Sequence, residues 1–207
     1  MNVYQKFFKR LLDIGLSLLG IAVCLVPMLV IAALIVLDDP GPVFFRQVRV
    51  GVNKSRFQML KFRTMKADAP HDVPTHLLEH PDRYITRVGR ILRKSSLDEL
   101  PQIFQILTGK MSVIGPRPAL WNQYDLLNAR DKYGANRIRP GLTGWAQING
   151  RDELSIAEKA RYDGEYAERM SFLFDCRCFL GTLGAVFKHK GIAEGGGTVR
   201  GEEMAKK

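Results

Sequence analysis

The pattern of the chain changes most sharply near its start. From Ile14 to Leu37 it reads I-G-L-S-L-L-G-I-A-V-C-L-V-P-M-L-V-I-A-A-L-I-V-L, with no charge and a single hydroxyl, Ser17. Roughly 20 apolar residues suffice to cross a bilayer, so this run reads as a membrane segment. It is too long for a cleaved signal peptide, and no A-x-A-like site follows it. As one straight helix it would extend about 36 Å, enough to span. Pro27 lies near its middle, however, and proline removes a backbone hydrogen bond and crowds the preceding turn. The arms on either side, about 20 Å and 15 Å long, are each too short to span alone. Lys6, Lys9 and Arg10 precede the run, and Arg46, Arg49, Lys54 and Arg56 follow it. Positive charge therefore draws both ends toward the cytoplasm. On these grounds a kinked spanning helix and a re-entrant helix, entering and leaving through one leaflet, both stay open.

P-G-P at Pro40 to Pro42 ends that element. V-F-F-R-Q-V-R-V, a turn-like G-V-N-K and S-R-F-Q-M-L-K-F-R-T-M follow, rich in β-branched and aromatic residues, and predict a β-hairpin. The segment 67–82 is polar and contains Pro70, Pro74 and Pro81, so it reads as a loop. In S-S-L-D-E-L-P-Q-I-F-Q-I-L, Leu97, Leu100, Phe104 and Leu107 mark one face of a helix that has Pro101 in its first turn. Two glycine- and proline-containing loops come next, M-S-V-I-G-P-R-P (111–118) and R-I-R-P-G-L-T-G-W-A-Q-I-N-G (137–150), and then a polar helix. Near the end, Cys176, Phe179, Leu180, Leu183, Val186 and Phe187 recur at helical spacing. That helix belongs either to the core or to a membrane interface. The tail from Gly195 is glycine-rich and charged and is expected to be mobile.

Composition adds a bias toward anionic partners. The 207 residues carry a net charge of +10, and no acid occurs among the seven cations between Pro40 and Ala67. These cations suit either a solvated face against anionic headgroups or a phosphate-binding floor. The three cysteines, Cys24, Cys176 and Cys178, have no C-x-x-C spacing, which argues against a disulfide framework or a structural zinc site. H-L-L-E-H at His76 to His80 matches an inverted zinc-peptidase pattern, but Pro74 and Pro81 confine any helix there to about two turns, and exposed loop histidines are the better reading.

Against this basic background, Asp98 and Glu99 stand side by side directly after a run that holds Arg83, Arg87, Arg90, Arg93 and Lys94. Capping alone could account for them, since Ser96 and Glu99 fit the S-x-x-E box and acids favour a helix N-terminus. The surroundings suggest chemistry. In G-P-R-P, Arg117 is held between Pro116 and Pro118, a stiffness suited to an arginine aimed at phosphate. The glycines of R-P-G-L-T-G-W-A-Q would allow close backbone approach to a ligand. Lys61, Arg63, Arg90 and Arg93 add enough charge to neutralise a pyrophosphate. A carboxylate among cations stays ionised and can act as a nucleophile, and a second beside it can help hold Mg²⁺.

At these residues the sequence resembles the bacterial sugar transferases, the monotopic phosphoglycosyl transferases. Six blocks in order carry the resemblance: K-R-L-L-D, G-P-V-F-F-R-Q-V-R-V-G, K-F-R-T-M, V-G-R-I-L-R-K-S-S-L-D-E-L-P-Q, S-V-I-G-P-R-P and R-P-G-L-T-G-W-A-Q-I-N-G. It implies that Asp98 attacks the sugar-bearing phosphate of a UDP-sugar, releasing UMP and leaving a phosphosugar on the enzyme. A polyprenol phosphate, undecaprenyl phosphate, then takes the phosphosugar. Glu99 would assist with Mg²⁺, both acids being metal ligands, and Lys61, Arg63, Arg90, Pro116, Arg117, Pro118 and Gln147 would surround the substrate phosphates. The resemblance also implies an α+β, mainly helical fold at the cytoplasmic face of the bacterial inner membrane. Residues 1–39 would form a re-entrant membrane helix broken at Pro27, and 40–194 a small cytosolic catalytic domain with a β-hairpin and interfacial amphipathic helices; 195–207 is the tail. The family's break is commonly Ser-Pro, whereas Val26-Pro27 stands here, so a shallower break is expected. Membrane lipids are expected partners and nucleic acid is not; the oligomeric state stays open, a homodimer included. The competing reading is a non-catalytic, membrane-anchored basic module that binds nucleotides or anionic lipids.

Overall fold

The computed structural model describes residues 3–66, 69, 83–150 and 153–188. The tail 195–207 and all of the loop 67–82 except Ala69, including His76 and His80, lie outside the described residues. The fold is mainly helical with two small sheets. After a π-turn at Tyr4–Phe8, helix α1 runs from Lys9 to Asp38. Its backbone stays helical through Pro27, where the proline argues for a break. Pro27 removes one backbone bond, while the intact bonds on either side keep the two arms joined. Among the described residues, the Tyr4–Asp38 stretch is the one helix long and apolar enough to cross a membrane.

One stripe of α1 is buried: Lys9, Asp13, Ser17, Met28, Ile31 and Ile35, spaced by whole helical turns. The opposite face is apolar and open, with Val23, Val26 and Leu37 each more than 60 % exposed. The stripe packs on the rest of the chain at both ends. Near its start, the Arg10 guanidinium donates to the Ile106 and Leu107 carbonyls, 2.6 Å each. Asp13 Oδ1 accepts from Ser112 Oγ at 3.0 Å and from the Val113 amide at 2.9 Å. At the far end, Asp38 accepts from the Val88 amide at 2.9 Å, and Met28, Ile31 and Ile35 pack against Phe62 and Leu92.

Strands β1 (Phe44–Val50) and β2 (Arg56–Phe62) form the expected antiparallel hairpin, which sets Phe45 opposite Lys61 and Arg49 opposite Phe57. Its turn places Asn53 and Lys54 in the left-handed region, φ 51° and 60°. Helix α2 (Arg87–Ser95) is capped by Thr86, whose side chain accepts from the Gly89 amide. Helix α3 (Gln102–Leu107) lies along β2, because the Gln105 side chain bonds the Leu60 amide and the Gln58 carbonyl of its edge. Strands β3 (Ser112–Ile114) and β4 (Gly141–Thr143) pair in parallel, which brings the two glycine- and proline-containing motifs together. Helices α4 (Tyr124–Asp131) and α5 (Trp145–Ile148) are short. Helix α6 (Ile156–Arg169) begins with a capping box made by Ser155 and Glu158. Helix α7 (Phe172–Lys188) places one face in the core, as the first reading of its sequence expects. Phe174 and Cys178 enter a core with Ile114, Trp145, Tyr166 and Met170, while Leu173, Phe179, Leu180 and Leu183 form an exposed apolar row.

Candidate active site

The acidic pair does not cap a helix. Helix α2 stops because Ser96 turns left-handed, φ 58°, and its amide donates back to the Arg93 carbonyl. Leu97–Glu99 then form a 3-10 turn in which the Ser96 side chain makes no capping bond. The S-x-x-E box of the sequence is therefore not built, since Glu99 points away to two cations. Its Oε1 accepts from Lys61 Nζ at 2.7 Å and from Arg117 Nη2 at 3.0 Å. Asp98 is 9 % exposed, and its Oδ2 lies 3.6 Å from the same Lys61 Nζ.

These surroundings separate the two carboxyls. Burial alone would push Glu99 up, but Lys61 and Arg117 outweigh it and hold the group far below the usual carboxylate range. For Asp98 burial prevails, with a further push from the Glu99 charge, and its pKa is raised against the pull of Lys61, Arg93 and Arg117. Glu99 is thus a fixed anion that orders two cations. Asp98 is a largely buried carboxyl group with one cation near its oxygen, and a carboxyl so placed can serve as a nucleophile once ionised.

Arg117 is held from behind. Its carbonyl accepts from Arg130 Nη2 at 3.0 Å, and Arg130 forms a buried ion pair with Asp163 at 2.6 Å. The Pro116 carbonyl accepts from the Gly141 amide at 2.9 Å, and the Gly115 amide donates to the Thr143 carbonyl at 2.8 Å. The glycines do not serve the purpose expected of them. A Cβ at Gly144 would lie 2.0 Å from the Gly115 carbonyl oxygen, and one at Gly141 would lie 2.1 Å from the Gly115 amide nitrogen. They admit the backbone of the other motif, not a ligand, and so set the height at which Arg117 leaves its loop.

The other expected residues divide. Lys61 and Arg117 contact the acids, and Pro116 and Pro118 flank Arg117 in its loop. Arg63 does not reach them: its guanidinium is buried and clasps the side chain and carbonyl of Asp39, just beyond α1. Arg90 lies on the exposed side of α2, and no contact to either acid among the described residues comes from it. Gln147, on α5, has both side-chain amide atoms buried without a hydrogen-bond partner, its Oε1 close to Gly144. Arg93 donates to Thr64 Oγ1 at 2.8 Å and adds its charge near Asp98.

The donor set suits a hard cation in one way only. Among the described residues, no three or more Asp, Glu, His or Cys side chains converge. An ion such as Mg²⁺ would take Asp98 and Glu99 and complete its shell from phosphate oxygens and water. Sequence reasoning missed Arg130 and Asp163, which lie 33 positions apart with no local signal, and left Arg10 and Asp13 of K-R-L-L-D without a role. It counted Arg49 as one of seven cations of a candidate phosphate-binding floor and did not single it out, although Arg49 Nη1 donates to the Pro118 carbonyl at 3.0 Å.

Known proteins are similar to this chain along most of its length. The profile of the family described as bacterial sugar transferase matches residues 4–189. A protein of Bacillus subtilis (strain 168), named an uncharacterized sugar transferase, is 37 % identical over 186 residues, covering 90 % of each chain. The UDP-glucose:undecaprenyl-phosphate glucose-1-phosphate transferase of Escherichia coli (strain K12) is 39 % identical over 90 % of this chain, which spans 41 % of that protein. The protein of the same name from Caulobacter vibrioides is 42 % identical over 84 % of this chain and 68 % of its own length. With the acids, the P-R-P arginine and the paired glycine loops all falling inside the matched residues, the chain belongs to the bacterial sugar transferase family.

Proposed function

We propose that this protein transfers a sugar 1-phosphate from a UDP-sugar to undecaprenyl phosphate, releasing UMP, through a phosphosugar carried on Asp98. The observation that carries the reading is the inward-turned pair of acids, one fixed between Lys61 and Arg117 and the other left as the desolvated carboxylate beside them. A module that only binds anions gains nothing from two acids, one buried and one half-buried, that offset its own cations. The names of the relatives supply the donor and acceptor classes.

In the first step, an Asp98 oxygen attacks the sugar-bearing phosphorus, the bond to the bridging oxygen breaks, and UMP departs with that electron pair. Lys61 and Arg117 sit where the phosphoryl oxygens gather charge, so their stabilisation grows as the leaving group departs. In the second step, a phosphate oxygen of the polyprenol attacks the same phosphorus, and Asp98 leaves as the carboxylate it was. Both steps balance without net proton transfer. Mg²⁺, when bound at Asp98 and Glu99, would supply further neutralisation of the diphosphate.

Donor alone should therefore yield no more than one UMP per enzyme, and acceptor should restore turnover. Steady release without acceptor across a panel of UDP-sugars would sink the covalent scheme. The rate of that first release should also rise with pH through the raised pKa of Asp98, because only the ionised form attacks. Lys61 is the largest charge holding Asp98 down. Lys61→Met accordingly moves the acidic limb of the pH–rate profile to higher pH; an unmoved limb would show that another group sets it.

We place the enzyme at the cytoplasmic face of the inner membrane with α1 entering one leaflet only. Support comes from the bonds at both ends of that helix to one and the same domain. A helix of 30 residues is about 45 Å long, and a spanning one would carry one end across roughly 30 Å of hydrocarbon. Cysteine labels at Gln5 and Gly41 should both react from the cytoplasmic side alone. Reaction from opposite sides would restore a spanning helix.

A further inference from the structure

Arg49 sits in β1 on the face of the hairpin that carries Lys61. The register pairs Arg49 with Phe57 and Phe45 with Lys61, and residues two or four apart on a strand share a face. The guanidinium is partly buried and makes three hydrogen bonds. Nη1 donates to the Pro118 carbonyl at 3.0 Å, and Nε and Nη2 donate to Gln47 Oε1 at 3.1 Å and 2.6 Å. Both acceptors are neutral. The acid whose charge it feels, Glu99, is already shared by Lys61 and Arg117, and the charge of Arg117 opposes its own. Burial and that like charge lower its pKa to about 10, so it remains a cation at neutral pH.

A partly desolvated cation that has no acid of its own among the described residues, set beside a second arginine, is unfavourable unless an anion arrives. Near the two acids the protein gathers four cations, Lys61, Arg93, Arg117 and Arg49, an excess of positive charge. We infer that Arg49 is a second guanidinium of the phosphate site, and that the donor's diphosphate provides its missing counter-charge. The two arginines flank Pro118, one through its own backbone position and the other through a hydrogen bond to the Pro118 carbonyl, so the P-R-P loop holds both at a fixed separation. This rests on the transferase reading for the identity of the ligand but not for the binding itself.

The alternative is a neutral clamp, in which Arg49 only ties β1 to the P-R-P loop. Charge and clamp separate in Arg49→Lys, which keeps the cation and loses the forked bonds, and Arg49→Gln, which loses the cation. Each full-length variant is compared with wild type in membrane nanodiscs by UMP release against donor concentration and by the melting-temperature rise on adding pyrophosphate. Arg49→Gln should raise the donor KM by about tenfold or more with a smaller change in kcat, and Arg49→Lys should recover much of it. The pyrophosphate-induced rise should follow the same order. Equal impairment in both variants, or a loss of kcat at unchanged KM, overturns the inference in favour of the clamp. An unchanged pyrophosphate response in both overturns it as well. If wild type releases no UMP, the transferase reading fails, and the pyrophosphate response still decides Arg49. Arg49→Met replaces Arg49→Gln if the latter does not fold.

Discussion

Asp98→Asn lowers UMP release by at least about a thousandfold, because an amide cannot form the bond to phosphorus that the mechanism requires. The fold should not suffer. The substitution keeps the size of the side chain, removes a desolvated charge and relieves its repulsion with Glu99. A melting temperature at or above that of wild type, with activity gone, is the expected pair of results. Glu99→Gln should behave differently. Lys61 and Arg117 lose the anion that holds them together, so donor affinity falls along with the rate. Activity in Asp98→Asn near that of wild type would mean that Asp98 is not the nucleophile.

The second large effect is expected far from the phosphorus. Arg130→Met leaves Asp163 1 % exposed, without the cation that makes its burial tolerable. Breaking such a pair from one side costs about 3–5 kcal/mol, or roughly 10 °C in melting temperature for a chain of this size. It also frees the Arg117 carbonyl. Removing both charges in Arg130→Met/Asp163→Leu should recover most of the stability, since apolar replacements of a whole buried pair are often neutral. Activity should stay low in the double variant, because the Arg117 carbonyl still lacks the hydrogen bond from Arg130. Recovery of both together would show that the pair serves stability alone.

How much of this was legible beforehand depended on whether the signal was local. The long apolar helix, the hairpin and the acidic pair announce themselves within short windows of sequence, through an unbroken apolar run, alternation about a turn, and two acids in a basic background. The P-R-P arginine was also legible, because two prolines around one cation restrict the backbone whatever the fold. The glycines were misread in their purpose. A glycine permits close approach, but the sequence does not say of what, and here the approaching group is the backbone of the partner motif. Arg63 was misread for a similar reason: beside Lys61 it looks like one more phosphate ligand, and only the fold shows Asp39 within its reach. Proline at position 27 was taken for a break, and the helix runs through it.

The charged residues at the two ends of α1 form the largest part of the site that sequence could not show. Arg10 satisfies carbonyls at the end of α3, a helix that begins three residues after Glu99. Asp13 holds β3, which leads into the loop of Arg117. Asp38 bonds the first turn of α2, which leads to Asp98, and Asp39 clasps Arg63, two residues beyond Lys61. Each segment that delivers a side chain to the acids is thus tied to one end of α1. A helix that looks like an anchor in the sequence is, in the folded chain, a scaffold for the chemistry.

The most direct test is the mass of the enzyme itself, quenched with acid after mixing with a turned-over donor and no acceptor. One added sugar phosphate, located by fragmentation on Asp98 and discharged when undecaprenyl phosphate is supplied, is the predicted result. Unmodified enzyme during continuing UMP release, or the same adduct on another residue, would contradict it.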